Sequence, residues 1–238
     1  MKISIFLLCY NEELMLPYTI THYKKMFPSA TITIFDNHST DSSCEIAESN
    51  GCNIVKFDSN EQQDENLFIW IRTHLWKKYV TDGWVIMCDM DEWLSLTEDE
   101  LQQEDTKGTT IITTKGFNMV GESKQKDYSD INLFDITKGY HEENMSKRIC
   151  FKYPDVITME YWYGAHQCFP QGRIVYSEKV YMLKHYDILG EQYLIDKYYK
   201  RYQRNELSRS RGCNHHYILD NDKVVSIYND ALAKSVVL

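Results

Sequence analysis

The chain has no C-x-x-C pair, no apolar run near the roughly 18 residues a membrane-spanning helix needs, no internal repeat and no low-complexity linker. Its seven cysteines, at 9, 44, 52, 88, 150, 168 and 213, are odd in number and irregularly spaced. Neither a disulfide framework nor a zinc site is indicated, and a reducing cytoplasmic setting is the expectation. Positive charge is also short. Lys and Arg number 26 against 35 Asp and Glu, a net charge of −9. A surface that neutralises phosphates would leave the total basic, so no nucleic-acid partner is expected. Any anionic ligand must be met by local groups or through a metal. The opening MKISIFLLCYNEE has an apolar run of about eight residues without a small-residue cleavage site, which reads as a first buried strand and not as a signal peptide.

What is present is ordinary globular material, 43% hydrophobic and 26% charged over 238 residues, enough for one sizeable core. The most informative stretch is Trp84 to Leu94, WVIMCDMDEWL. Trp84 to Cys88 reads as a strand buried on both faces, and it runs into Asp89-Met90-Asp91-Glu92. Alternation along an extended backbone puts Asp89 and Asp91 on one side and Met90 on the other. Two carboxylates then meet at a strand's carboxyl end, where open α/β sheets bind ligands. Hard oxygen donors suit Mg²⁺ or Mn²⁺; a solvated acidic turn is the alternative.

The rest of the N-terminal half has the same grammar. Ile3 to Cys9 predicts a strand, followed by a helix with Leu14, Ile20, Tyr23 and Phe27 at helical spacing and Pro28 as its stop. Thr31 to Phe35 predicts a second strand ending in Asp36-Asn37-His38-Ser39-Thr40-Asp41, then a helix to Asn50. Asn53 to Phe57 is a third strand, and Asp64-Glu65 opens an amphipathic helix. This β-α-β-α-β-α-β order predicts an α/β fold with a parallel sheet and helices on its faces. Beyond it, Thr97 to Asp105 opens as a capped acidic helix, Thr109 to Thr114 predicts a strand, and Gly116 to Lys147 reads as a polar substrate loop. Short strands are expected at Arg148 to Phe151, Arg173 to Tyr176 and Val180 to Leu183. They flank the aromatic run Tyr161-Trp162-Tyr163 and His166. A helix from Gly190 to about Ser210 carries Lys197, Lys200, Arg201 and Arg204; a solvated face is its plainest reading, and binding of an anionic acceptor, a pyrophosphate or a lipid headgroup is the alternative.

NEELMLPYTI, FDNHSTDSSCEIA and WVIMCDMDEWL, in that order, resemble the family 2-like glycosyltransferases of GT-A fold. There N-E-E, D-x-x-S-T-D and D-x-D stand at successive strand ends. GWVIMCDMDEWL is similar to the D-x-D-E-F segment of a subgroup, with Trp93 for the usual Phe, and LKHYDILG and RSRGCNHHY resemble its C-terminal His-Tyr motifs, the second of which holds His215 and His216. The resemblance implies a GT-A-like single domain. Its mostly parallel, Rossmann-like sheet would carry a nucleotide-sugar half at 1–95, an acceptor and catalytic half at 96–189 and a C-terminal helical extension at 190–238.

It further implies a metal-dependent transferase of hexosyl or deoxyhexosyl type. A sugar would pass from a nucleoside diphosphate donor, a UDP-sugar by expectation, to a hydroxyl of a glycan or glycolipid acceptor. The protein would lack a transmembrane segment but remain compatible with peripheral membrane contact. By the resemblance, Asn11, Glu12 and Asp36 line the nucleoside pocket. Asp89, Asp91 and His185 hold Mn²⁺ or Mg²⁺, and Arg72, Lys147 and Arg148 are candidates for the phosphates. Asp91 also stands in the catalytic set, with Glu160, Asp155 and His166 as candidates for the acceptor's base, since no clean Glu-Asp motif is visible in the second half. Bland roles stand beside these: loop capping for Asp36, a strand-end role for His185, surface ion pairs for the three cations and core packing for the aromatic run. Two rival functions are a silent nucleotide-sugar or glycan-binding module and a nucleotidyltransferase. The latter normally shows a Gly- and Lys/Arg-rich loop where this chain has Tyr10-Asn11-Glu12-Glu13.

Overall fold

In the computed structural model, which describes residues 1–124, 128–212, 217 and 219–238, the central strand is β1 (Ile3–Cys9). β2 and β4 pair along its edges and side chains from helices pack on both of its faces, so ISIFLLC reads as one apolar run. α1 (Leu16–Met26), opened by Pro17, leads back to β2 (Thr31–Asp36); α2 (Ser43–Ser49) returns to β3 (Asn53–Lys56). α3 (Glu65–His74), capped by the Asp64 carboxylate, is followed by a short 3₁₀ turn and β4 (Gly83–Asp89). β3, β2, β1 and β4 lie side by side and parallel, as expected. Ile5 and Leu7 pack toward Leu16, Ile20 and Ala47 on one face, while Phe6 packs with Ile71, Leu75 and Trp76 on the other. Helices therefore cover both faces. The chain steps from β1 to β2 on one side and to β4 on the other, which makes the β1/β4 carboxyl ends a switch point.

After β4 the sheet becomes mixed. β5 (Glu92–Ser95) leads to α4 (Glu98–Lys107), held by the Thr97–Glu100 capping box and stopped by left-handed Gly108. β6 (Ile111–Ser123), β7 (Lys138–His141) and β8 (Cys150–Tyr153) extend the sheet beyond β4, with β8 antiparallel to it. The expected loop from Gly116 is thus corrected in part: β6 runs on to Ser123 and β7 pairs with it. Glycine is required at Gly116, where a Cβ would stand 2.1 Å from the Met145 backbone; this approach sets the segment leading to Lys147 against β6.

β9 (Val156–Thr158) and β10 (Gln171–Gly172) form a small separate ribbon. The strand predicted at Arg173 to Tyr176 is replaced by β10 and the start of β11 (Tyr176–Gly190), a 15-residue strand that absorbs Val180 to Leu183 and carries His185 mid-strand. α5 (Glu191–Arg204), α6 (Glu206–Ser210) and α7 (Asn221–Lys234) follow β11, and β12 (Val236–Val237) joins the main sheet at the edge of β7; the predicted single helix to Ser210 breaks at Asn205. His215, His216 and Cys213 lie outside the described residues. The other six cysteines are free thiols. No helix among the described residues is long and apolar enough to cross a membrane.

Candidate active site

Strand β4 ends at Asp89 and the chain turns at Met90-Asp91 before β5, so strict alternation stops between the two carboxylates. The turn is pinned from α1. Thr19 Oγ1 donates to the Met90 carbonyl at 2.7 Å and accepts from Trp93 Nε1 at 2.9 Å. β5 pairs antiparallel with β11, setting Glu92 opposite His185, and the Tyr186 amide donates to the Asp91 carbonyl at 2.8 Å. Tyr186 packs inward on Trp93, with ring centroids 4.2 Å apart. Its neighbours His185 and Asp187 take the opposite face of the strand and meet Asp91 there.

Asp91, His185 and Asp187 each offer a ligand atom, all within 4.8 Å of one another. His185 Nε2 lies 3.4 Å from Asp91 Oδ2 and 4.0 Å from Asp187 Oδ1. The imidazole's orientation is set from behind. Asn118 Nδ2 donates to the Tyr140 hydroxyl at 3.2 Å, so Asn118 Oδ1 accepts from His185 Nδ1–H at 2.8 Å. That aims Nε2 at the carboxylates; burial lowers the His185 pKa, but Asp91 and Asp187 outweigh it and raise it, which favours a proton on Nε2 that a bound metal would displace. Burial drives the Asp91 pKa up, but His185 and Lys197 outweigh it and hold the carboxylate well below its usual range. Two carboxylates and an imidazole are a donor set that a divalent ion such as Mn²⁺ or Mg²⁺ would accept.

Asp89 has different company. Arg72 Nη2 donates to its Oδ1 at 2.6 Å, and Lys147 Nζ lies 3.4 Å from Oδ2 and 2.5 Å from Glu92 Oε1. Glu92 Oε2 in turn accepts from the Asp89 amide at 3.0 Å. Arg72, Glu92 and Lys147 are all buried. Burial raises the Asp89 pKa, yet Arg72 and Lys147 bring it down to about 2. Asp89 is therefore not part of the Asp91–His185–Asp187 cluster. Arg72 Nε and Nη1 are buried with no hydrogen-bond partner among the described residues, which leaves two donors for a ligand.

A cleft of about 300 Å³ joins the two clusters at the switch point, floored by Cys9, Tyr10, Asn37, Asp89 and Asp91. Phe57, Phe68 and Arg72 line its walls, together with Lys147 and His166. Glu12 lines it too. Burial and the Asp91 charge raise the Glu12 pKa to about 7. α5 closes the top: Arg204 lies over the Tyr10 ring, 3.3 Å from its centroid, and its carbonyl accepts from the Gln63 amide at 2.8 Å. A second cavity of about 500 Å³ opens behind Glu12 and Lys197, with Tyr128 and Tyr193 in its lining.

The remaining sequence candidates sit elsewhere. Asp36 is fully buried, accepting from the Ser39 amide at 3.2 Å beside Lys56, and does not line the cleft; its neighbour Asn37 does. Asn11 is in a left-handed conformation, and its Oδ1 accepts from the Thr40 amide at 2.7 Å, which laces the first two strand-end loops together. Arg148 Nη1 donates to the Ser146 carbonyl at 2.6 Å, and it too is absent from the cleft wall. Glu160 lies outside the cleft, accepting from Gln171 Nε2 at 2.5 Å. Trp162 is exposed on Tyr163, whereas Tyr161 is buried. The sequence reading missed Asp187 and Glu92, and it gave Lys197, Arg201 and Arg204 to a solvated face ahead of an anion-binding one. Asp187 was signalled by its i, i+2 relation to His185 on a strand, and the three cations by their i, i+4, i+7 spacing on one face of α5. Glu92 had no signal beyond its place in the acidic turn.

No family model matches the chain. A 53-residue stretch, 22% of this chain, is 38% identical to protein RfbJ of Shigella flexneri; it spans 41% of that relative. Among solved structures, S. aureus TarS residues 1–349 is similar at TM-score 0.49 and 14% identity, over 96% of this chain and 71% of that one. Its complex with UDP-GlcNAc gives a TM-score of 0.47 at 15% identity, over 96% and 72% of the two chains. Glucosyl-3-phosphoglycerate synthase from Mycobacterium tuberculosis, with Mn²⁺, UDP and glucosyl-3-phosphoglycerate, gives 0.34 at 15% identity, over 48% and 44%.

Proposed function

We propose that the chain is a divalent-metal-dependent glycosyltransferase that moves a sugar from a nucleoside diphosphate donor to an acceptor hydroxyl. The observation that carries this reading is the Asp91–His185–Asp187 cluster at the switch point, beside a cleft with unpartnered Arg72 donors. Asp91, His185 and Asp187 would hold the ion; when bound, it supplies positive charge against the departing diphosphate. Arg72 would meet donor oxygens with Nε and Nη1, and Arg201 and Arg204 add positive charge on the α5 side. Phe57 and Phe68 offer aromatic walls for the base, next to Asn37.

The acceptor hydroxyl would enter from the second cavity, whose tyrosines suit the C–H faces of a sugar ring. Glu12 lines both spaces, and its pKa near 7 suits a proton acceptor at neutral pH, so it joins His166 as a candidate base. Glu160 would need to leave Gln171 and travel to the cleft. Glycans and glycolipids are the acceptor classes we propose, and UDP is the nucleotide to test first.

Thermal unfolding with UDP, GDP, CDP and dTDP, each with Mn²⁺, Mg²⁺ or chelator, tests the reading. Stabilisation by one nucleotide only with metal is expected, and a ligand at a hundred times its Kd adds about 2.7 kcal/mol. Stabilisation by none of the four would overturn the donor site.

A further inference from the structure

Lys197 reaches from α5 into the metal-suited cluster. Its Nζ donates to Asp91 Oδ2 at 3.3 Å and makes a short contact with Asp187 Oδ1. The side chain is only 10% exposed, and the ammonium stands 5.7 Å from the centre of the Tyr193 ring, one helical turn back. An ammonium with three rotatable donors satisfies two carboxylates much as a small cation does. This ammonium therefore occupies the ground a divalent ion would need. Both cannot stay: a dication drawn to Asp91 and Asp187 removes the lysine's partners and repels its charge, with Arg201 lining the same cleft.

The lysine also has somewhere to go. Lys197 borders the second cavity, and so does Glu12, whose carboxylate is already within electrostatic reach of Lys197. A rotamer change within α5 would carry Nζ away from the cluster without unfolding the helix.

We propose that Lys197 is a resident counter-ion that bars divalent metal from the Asp91–His185–Asp187 cluster until a nucleoside diphosphate arrives. The inference rests on the metal reading given above. It makes Lys197 a positioning residue: it keeps buried Asp91 and partly exposed Asp187 compensated in the empty enzyme and leaves when phosphate oxygens bring the metal further ligands. Metal and nucleotide then bind with positive coupling, because the nucleotide supplies what the metal needs to displace the lysine.

Mn²⁺ binding, read from the free-ion EPR signal without nucleotide, tests this with the wild type, Lys197→Met and Lys197→Arg. Lys197→Met should bind Mn²⁺ at least tenfold more tightly than wild type, while Lys197→Arg, which keeps the charge, should not. UDP should tighten Mn²⁺ binding more in the wild type than in Lys197→Met. Equal Mn²⁺ affinity in wild type and folded Lys197→Met overturns the counter-ion role and leaves the metal site standing. Absence of Mn²⁺ binding by every protein, with or without UDP, overturns the metal reading itself. Should Lys197→Met not fold, the wild type still decides. With lysines dimethylated by ¹³C-formaldehyde, the resonance missing in Lys197→Arg should shift on Mg²⁺ and UDP addition. An unmoved resonance at concentrations where Mg²⁺ displaces bound Mn²⁺ overturns the proposal.

Discussion

Asp89 and Asp91 are two residues apart and equally acidic in the sequence, but their surroundings have divided the labour between them. Asp89 faces Arg72 and Lys147, two buried cations anchored on α3 and just ahead of β8, with Glu92 completing the network. Those charges come from buried side chains and hold Asp89 in its ionised form. Asp91 faces His185 and Asp187, held by the β5–β11 ladder, and one long lysine side chain from a helix. Its compensation is exchangeable. On the proposed reading, Asp89 is fixed structure at the floor of the cleft and Asp91 is open to coordination.

The largest effect should come from Asp91. Asp91→Ala removes one of three ligands and should lower metal-dependent release of UDP from a UDP-sugar by at least a thousandfold, about 4 kcal/mol. The fold should survive, since Lys197 keeps Asp187 as a partner. Undiminished release would place the metal elsewhere and break the division.

Lys147→Met probes the opposite side. Lys147 is buried and pairs with Glu92 and Asp89. Its loss strands a buried carboxylate, a change that typically destabilises by about 3–5 kcal/mol. Urea unfolding at neutral pH should show this, while the Mn²⁺ affinity of the folded fraction should change little. A variant as stable as wild type but unable to bind UDP would turn Lys147 from structure into a ligand contact.

The sequence made some of this division legible and hid the rest for identifiable reasons. β1 to β4 are read correctly because a parallel sheet covered by helices writes itself as short apolar runs between amphipathic helices, with polar residues at the strand ends. The carboxylate pair is visible for the same reason. Its division is not, because the turn at Met90-Asp91 is held by Thr19 on α1, far away in sequence. β11 was reduced to fragments. Its polar and charged positions, Glu178, Lys179, Lys184 and Asp187, interrupt the strand pattern, and only pairing with β6 and β5 makes it one strand. That cost the sequence reading Asp187. Lys197, Arg201 and Arg204 read as a solvated face because a helix pattern cannot say whether its charged side meets water or a buried carboxylate.

The smallest expected effect concerns Asp36, where a strand-end position pointed to the nucleoside and the fold supplies a different occupation. Its carboxylate is enclosed, accepting from the Ser39 amide, while the Lys56 partner is half exposed. A screened pair of that kind contributes little, so the hydrogen bond carries most of the value, about 1–2 kcal/mol. Asp36→Asn should lower the unfolding free energy by that amount and shift UDP affinity only as far as the Ser39 loop and neighbouring Asn37 move. Isothermal titration with UDP and Mn²⁺, beside urea unfolding, separates the two. A tenfold loss of affinity at unchanged stability would mean that Asp36 turns into the cleft when nucleotide binds, giving the strand end the direct role its position suggested.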